Sequence, residues 1–357
     1  MLLQSNSAAK SSTKTSTGST WSVLAQSLAV RFAVMFAMAA AAGILFIPSS
    51  SAETLDQGRF TVRVLVLTAF EGEAQPWLTH EHWPLTFKVS GAHGPVRCQK
   101  DGVCITTTGE GKSNSGPSLT ALLAAPNLDT TSAYFIVAAI AGTRPDAGTE
   151  GYKGTLGFAG IARWVVDGDL GTHFDYRDVR PHDPPDVRKF AWIPGASYET
   201  AQFHLNEQLA NQAYELTKNL ELADDASAQA ARNLYPSQRG MHPFIALCDT
   251  VGADNYFAGT HEADTMDHLA RVRSNGAATR CTSEFEDPGF ANALRLHGKL
   301  DRLIIVRTAS DFETPAPGQT TVELLNSGFP GYAIATENEY RVGSKIAHAL
   351  AATASAG

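Results

Sequence analysis

The sequence predicts an α/β fold in which helices flank a central, mostly parallel sheet. Two observations predict it. Near-continuous apolar runs of strand length alternate with helix-forming runs, and several of those strands close on glycine. "TVRVLVLTAF" (61–70) is rich in Val and Leu and reads as a buried strand. "VCITTTGEG" (103–111) is a second strand ending in a glycine loop, and "SGPSLTALLAA" (115–125) follows as a helix. "AYFIVAAIAG" (133–142) is a third strand, and "GFAGIARWVVDGD" (157–169) reads as another. Residues 199–235 read as one or two long helices. Helical patterns recur at 261–272, 290–300 and in the C-terminal "YRVGSKIAHALAATA". The Pro-broken, charged stretch 175–189 reads as a surface loop or lid. No internal repeat or long linker divides residues 53–357, so one domain is expected there.

With 357 residues, 43% of them hydrophobic, the chain has ample material for a core. Its net charge of −8 and lack of any basic stripe argue against a nucleic-acid partner. Residues 1–52 differ in kind. A Ser/Thr-rich stretch with Lys10 and Lys14 leads into "RFAVMFAMAAAAGILFIP" and then "SSSAE". This pattern reads as a secretory signal peptide cut after Ala52, or as an uncleaved anchor touching the membrane. Either way the folded part is expected outside the cytoplasm, secreted or periplasmic.

Four cysteines agree with export. Cys98 and Cys104 bracket a hairpin-like "QKDG" turn, so a local bridge is feasible, leaving Cys248 to pair with Cys281. Four cysteines allow three connectivities, and the spacing alone states only a preference. No Cys/His grouping has zinc spacing, and no metal or cofactor is expected.

In such folds, ligands gather where strands end. Glu71 and Glu73 stand just past the first strand, where a helix start also welcomes acids. Gly109 and Gly111 precede a helix and either admit a ligand close to the backbone or simply make a tight turn. Glu284 and Glu286 alternate before another helix, where acids also serve as caps. Asp311 ends the apolar run "RLIIVRTASDFETP" (302–315).

These segments, with "VCITTTGEGKSNSGPSLTALL", "AYFIVAAIAGTRP", both cysteine pairs and "RTASDFETPAPG", resemble the nucleoside phosphorylase superfamily. More narrowly, they resemble the purine nucleoside permease family from about Val62 to Leu350. The resemblance implies a purine nucleoside as ligand and a homo-oligomer. It sets Asp311 beside the purine ring, with Arg307 and Ser310 in register. Glu286, with Glu284 and Phe285 around it, matches the segment that holds the ribose hydroxyls. Tyr256, in "ADNYFAG", matches the aromatic that stacks on the base.

Three tasks then need residues. A departing purine needs a proton, which Asp311 supplies if burial raises its pKa. The sugar, as it gains oxocarbenium character, needs an acceptor for its hydroxyls, and Glu286 fits. The nucleophile is read from departures. Relatives that use phosphate carry Arg and Ser where this chain has Val137 and Ile140. "AFEGEA" is similar instead to the Ala-Met-Glu-Glu-Glu pattern of hydrolytic nucleosidases, which makes Glu73 the base that activates water. Hydrolysis is therefore favoured. Lys112 leaves phosphorolysis open, and a non-catalytic protein that captures nucleosides for a transporter is a third reading. Such a protein would need Tyr256 and Glu286 but not both Asp311 and Glu73. Asn275 reads as a helix cap or a base contact, and Asp254 as a turn cap or a substrate contact. His261, Asp264 and His268 share a helix face without implying a metal.

Overall fold

The computed structural model of the chain describes residues 58–353, except 149, 191 and 194–197. The predicted signal segment lies outside the described residues. Twelve strands form one mixed sheet. In chain order they are β1 (Val64–Thr68), β2 (Leu85–Phe87), β3 (Val96–Cys98), β4 (Val103–Thr107), β5 (Tyr134–Thr143), β6 (Ala159–Ile161), β7 (Trp164–Asp167), β8 (Gln202–His204), β9 (Ile245–Leu247), β10 (Asp249–Gly252), β11 (Arg280–Glu284) and β12 (Leu303–Phe312). The helices of eight residues or more are α1 (Glu71–His80), α2 (Lys112–Leu123), α3 (Glu207–Thr217), α4 (Ala226–Asn233), α5 (Thr260–Arg273), α6 (Asp287–Leu296) and α7 (Tyr332–Thr353).

The path through the sheet runs β8-β7-β10-β11-β5-β1-β4-β3-β2, with β12 pairing β5 and β6, and β9 pairing β6. Its centre is parallel: β5 lies between β1 and β12, both parallel to it. This is the α/β architecture the apolar runs predicted. Successive residues on these strands serve opposite layers. Leu65, Leu67, Phe135, Val137, Leu303 and Ile305 pack with α2 and α6 through Leu119, Leu122, Phe290 and Leu294. Val64, Val66, Ile136, Ala138, Ile304 and Val306 pack with α1, α3 and α7 through Trp77, Leu209, Val342 and Ile346. Because both faces are covered, the strands carry no polar alternation.

Both cysteine pairs form as preferred, Cys98–Cys104 and Cys248–Cys281. The first closes the β3–β4 hairpin, where Gly102 supplies the positive φ of the turn. Two disulfides are compatible with an exported chain.

Several boundaries differ from the sequence reading. The apolar stretch at 157–169 is two short strands, β6 and β7, because the chain leaves the β12 partner for the β10 partner at Ala162–Arg163. Residues 199–235 contain strand β8 before α3 and α4, since Phe203 buries against β7. The charged loop carries a short helix, Pro185–Phe190, anchored by buried Phe190 against α5. No helix among the described residues is long and apolar enough to cross a membrane.

Candidate functional site

The C-terminal ends of β1, β5, β11 and β12 bring Glu73, Glu286 and Asp311 together, all at most 4% exposed. Each acid arrives by a different local device. Asp311 arrives by a β-bulge: the β12–β5 register slips between Ala309 and Asp311, so Ser310 is the extra residue. The Ser310 hydroxyl donates to Asp311 Oδ1 at 2.7 Å, with the Ala141 carbonyl 3.2 Å from the same oxygen. Ser310, in register with Asp311 as the resemblance implied, thus holds that carboxyl in position.

Glu73 arrives through the first turn of α1. Its Oε2 accepts the Ala69 N–H at 2.5 Å and its Oε1 accepts the Ile140 N–H at 3.0 Å. Its neighbour Glu71 turns outward to Arg97. The two readings of "FEGEA" thus divide between its two acids. Burial, then the nearby Glu286 charge, pushes Glu73 up to about 8, although Arg307 and the two N–H groups oppose the rise. Burial also raises Asp311 to about 6, while Tyr256 and Ser310 hold it from rising further.

Glu286 stands at the start of α6. The Gly111 N–H donates to its Oε1 at 2.9 Å and Arg307 to its Oε2 at 3.0 Å. Gly111 has φ +85, and a side chain there would meet Asp254. The Gly109 N–H donates to the Ala69 carbonyl. Neither glycine therefore keeps its N–H for a sugar; through Gly111 the loop clamps Glu286 instead. Glu284 is also diverted. It accepts the Glu286 and Asp287 N–H groups at 2.6 and 2.8 Å and pairs with Arg307, so it caps α6.

Arg307 is the hub of this cluster. It donates to Asp287, Glu284 and Glu286 and, through Nη1, to the Ile140 carbonyl at 2.9 Å. Ile140 thereby ties Glu73 to Arg307 through one peptide, although its side chain offers an anion nothing. Lys112 is equally committed, with Nζ 2.7 and 2.8 Å from the Asp167 oxygens and 3.2 Å from Asp169. Arg307 and Lys112 are thus each occupied by carboxylates.

Tyr256 takes a position that the sequence did not predict. Its hydroxyl donates to Asp311 Oδ2, and its ring meets Phe285 edge-on at 6.2 Å. The residue as a whole is 42% exposed, so it is not sealed in beside Asp311. Asp254 fastens this loop, accepting from the Ser113 hydroxyl at 2.5 Å. Asn275 is not brought to the site. It sits at the exposed C-terminal end of α5 with φ 54, where the Asn275–Gly276 pair caps the helix at the far end of β11. On α5, Asp264 pairs with Arg144, and His268 bonds Glu150 and stacks on Phe190.

Reasoning from sequence missed Glu313, Tyr332 and Glu339. Glu313 follows Asp311 by two residues and is bound by Arg280 at 2.8 and 2.9 Å and by Ser283 at 2.6 Å. Glu339 of α7 is fully buried, and neither oxygen has a hydrogen-bond partner among the described residues. Burial, then the Glu73 charge, raises its pKa well above the carboxylate range. A raised folded-state pKa favours folding at low pH and loses that contribution as pH climbs from the unfolded value, about 4.3. Glu339→Gln should therefore melt at a higher temperature than the wild type at pH 8, with the gain vanishing near pH 4. Melting curves across that range check this; a pH-independent difference would contradict it.

Solved structures similar to the chain include futalosine hydrolase of Helicobacter pylori (10% identity, 81% of this chain and 98% of that one, TM-score 0.49). Another is the 5′-methylthioadenosine/S-adenosylhomocysteine nucleosidase of Neisseria meningitidis (17% identity, 80% and 97%, TM-score 0.47). A Schizosaccharomyces pombe protein named as a probable purine nucleoside permease is 31% identical over 313 residues, covering 80% of this chain and 88% of its own. The Candida albicans purine nucleoside permease is 29% identical over 307 residues, covering 80% and 74%. The family model described as purine nucleoside permease matches residues 61–354, and the chain belongs to that family.

Proposed function

We propose that this protein cleaves the N-glycosidic bond of purine nucleosides by hydrolysis, giving free base and ribose. The observation that carries the reading is the union of three buried acids with cations that are already spent. Arg307 and Lys112 are both paired with carboxylates, so an incoming phosphate would meet Glu73 and Glu286 beside two cations that are already neutralised. Water needs only an acceptor for its proton.

Glu73 takes a proton from water as the water oxygen bonds to the anomeric carbon. The bond to the base nitrogen breaks, its electron pair goes to the purine, and Asp311 gives the purine a proton. Glu286, held by Gly111 and Arg307, accepts hydrogen bonds from the ribose hydroxyls as positive charge develops. The ring of Tyr256 offers the base a stacking surface. In this reading Tyr256 also tunes the acid through its bond to Asp311.

The raised pKa values make a specific pH signature. The reacting form needs Glu73 ionised and Asp311 protonated, yet Glu73 lies at about 8 and Asp311 at about 6. A minority form therefore does the work, and kcat/KM should plateau between limbs near those values. The lower limb then belongs to Asp311 and the upper limb to Glu73. Tyr256→Phe removes a hydrogen bond that favours the Asp311 carboxylate, which raises its pKa. The lower limb of the kcat/KM profile should move to higher pH while the upper limb stays. Movement of the upper limb alone would reverse the assignment.

The family name favours a second reading, capture of nucleosides for a separate transporter. Both are tested by incubating the purified full-length chain with inosine, adenosine and guanosine, with and without phosphate, and identifying the sugar product. Phosphate-independent ribose supports hydrolysis. Ribose 1-phosphate overturns it in favour of phosphorolysis, and saturable binding without turnover favours capture.

A further inference from the structure

Residue 72 is glycine in "FEGEA", at the position of the middle Glu in the Ala-Met-Glu-Glu-Glu pattern that the segment resembles. The structure shows what occupies the room. A Cβ added at Gly72 would lie 2.1 Å from the hydroxyl of Tyr332 and 2.6 Å from the Phe70 ring. Tyr332 opens α7, more than two hundred residues downstream, and its phenol lodges directly over the turn that delivers Glu73. The Phe70 ring stacks on it at 6.5 Å and 19°.

The placement of that phenol is tied to the catalytic strand. The Gly331 N–H donates to the Ser310 carbonyl at 2.8 Å, and the Thr308 hydroxyl donates to the Ala335 carbonyl at 2.8 Å. The first turn of α7 is thus fastened to the bulge that aims Asp311. Seven residues along, Glu339 shares the inner face of α7 with Tyr332. Farther down that face, Gly343 packs on Trp77, which lies one turn beyond Glu73 on α1. The inner faces of α1 and α7 therefore enclose Glu73, Tyr332 and the unpaired carboxyl of Glu339. Other tyrosine hydroxyls near the site are committed: Tyr235 to the Thr314 carbonyl and Tyr256 to Asp311.

We propose that Tyr332 is a further catalytic residue, whose hydroxyl holds the attacking water together with Glu73, and that Gly72 is glycine to admit it. The proposal rests on the hydrolytic reading and adds to it. Glu73 has already used both oxygens on backbone N–H groups, which fixes its plane and leaves the water's second contact to another group. Burial, then the charges of Glu73 and Glu339, holds the Tyr332 phenol up at about 12, so it stays a neutral group able to donate and accept. The fully buried, unpartnered Glu339 carboxyl beside Glu73 marks the same enclosure as polar, the setting in which a water is retained.

Two variants of the full chain test this on inosine. Tyr332→Phe keeps the ring and its stack on Phe70 and removes only the hydroxyl; kcat should fall about 10–100-fold with KM within about threefold. Gly72→Ala should reproduce the loss by displacing the hydroxyl; the crowding against Tyr332 and Phe70 lowers the melting temperature more than alanine's helix preference raises it, so its kcat is compared per folded molecule. Wild-type kcat in Tyr332→Phe overturns the assignment, as does a loss that merely tracks the fraction of folded protein. A wild-type chain that turns over no nucleoside overturns the hydrolytic reading and this proposal together. A wild type that turns over normally beside an unimpaired Tyr332→Phe overturns this proposal alone.

Discussion

Asp311→Asn should release purine from inosine about 10²–10⁴ times more slowly than the wild type, with KM changed only a few-fold. The range is that of a general acid acting on a leaving group that resists departure as an anion. The replacement isolates the proton. Asparagine keeps the volume of Asp311 and an oxygen that accepts from Tyr256 or Ser310, the two groups that bond the native carboxyl. A ribosyl substrate with a nitrophenolate leaving group supplies the control, because that group departs without protonation. The same variant should be nearly normal on it. Equal losses on both substrates would mean that Asp311 orders the pocket and is not the acid.

Glu73→Gln should lose a comparable factor, about 10²–10⁴ in kcat, for the opposite reason: the proton on water would have no acceptor. Nucleoside binding should persist, since Glu286 and the Tyr256 face stand on other elements. The smaller Glu73→Ala adds a chemical test. It opens room and removes a negative charge, so added azide should restore base release and yield a ribosyl azide, while leaving the wild type unaffected. Activity retained in Glu73→Gln, or no azide rescue of an inactive but folded Glu73→Ala, would move the nucleophile's activation to another group.

The strands that end at these acids were legible because burial on both faces leaves an unbroken apolar signature. "VLVLT" and "LIIVRTASDF" are buried along their whole lengths. Acids at the ends of such runs stand out for the same reason. Yet the run of letters did not sort them. Glu71 and Glu73 are two residues apart, and one faces Arg97 at the surface while the other is sealed under β5. Glu284 and Glu286 alternate along one strand end, and the first is absorbed in capping α6. Their roles follow from which neighbour supplies N–H groups, and those neighbours lie as far as 175 residues away.

What the sequence by itself determined was therefore the layered α/β plan, the preferred disulfide pairs and the acids that close the strands. Each of these follows from local pattern, and apolar periodicity and short spacing are properties of neighbouring residues. Only the tertiary structure decided that Arg307 and Lys112 are spent, that Ser310 is a bulge residue aiming Asp311, and that the Tyr256 hydroxyl rests on that acid. Only it could join Gly72 to Tyr332 and set Glu339 near Glu73. These relations depend on how separate helices and strand ends pack, and in a buried site the surroundings of a carboxyl, more than its identity, fix its charge and its task.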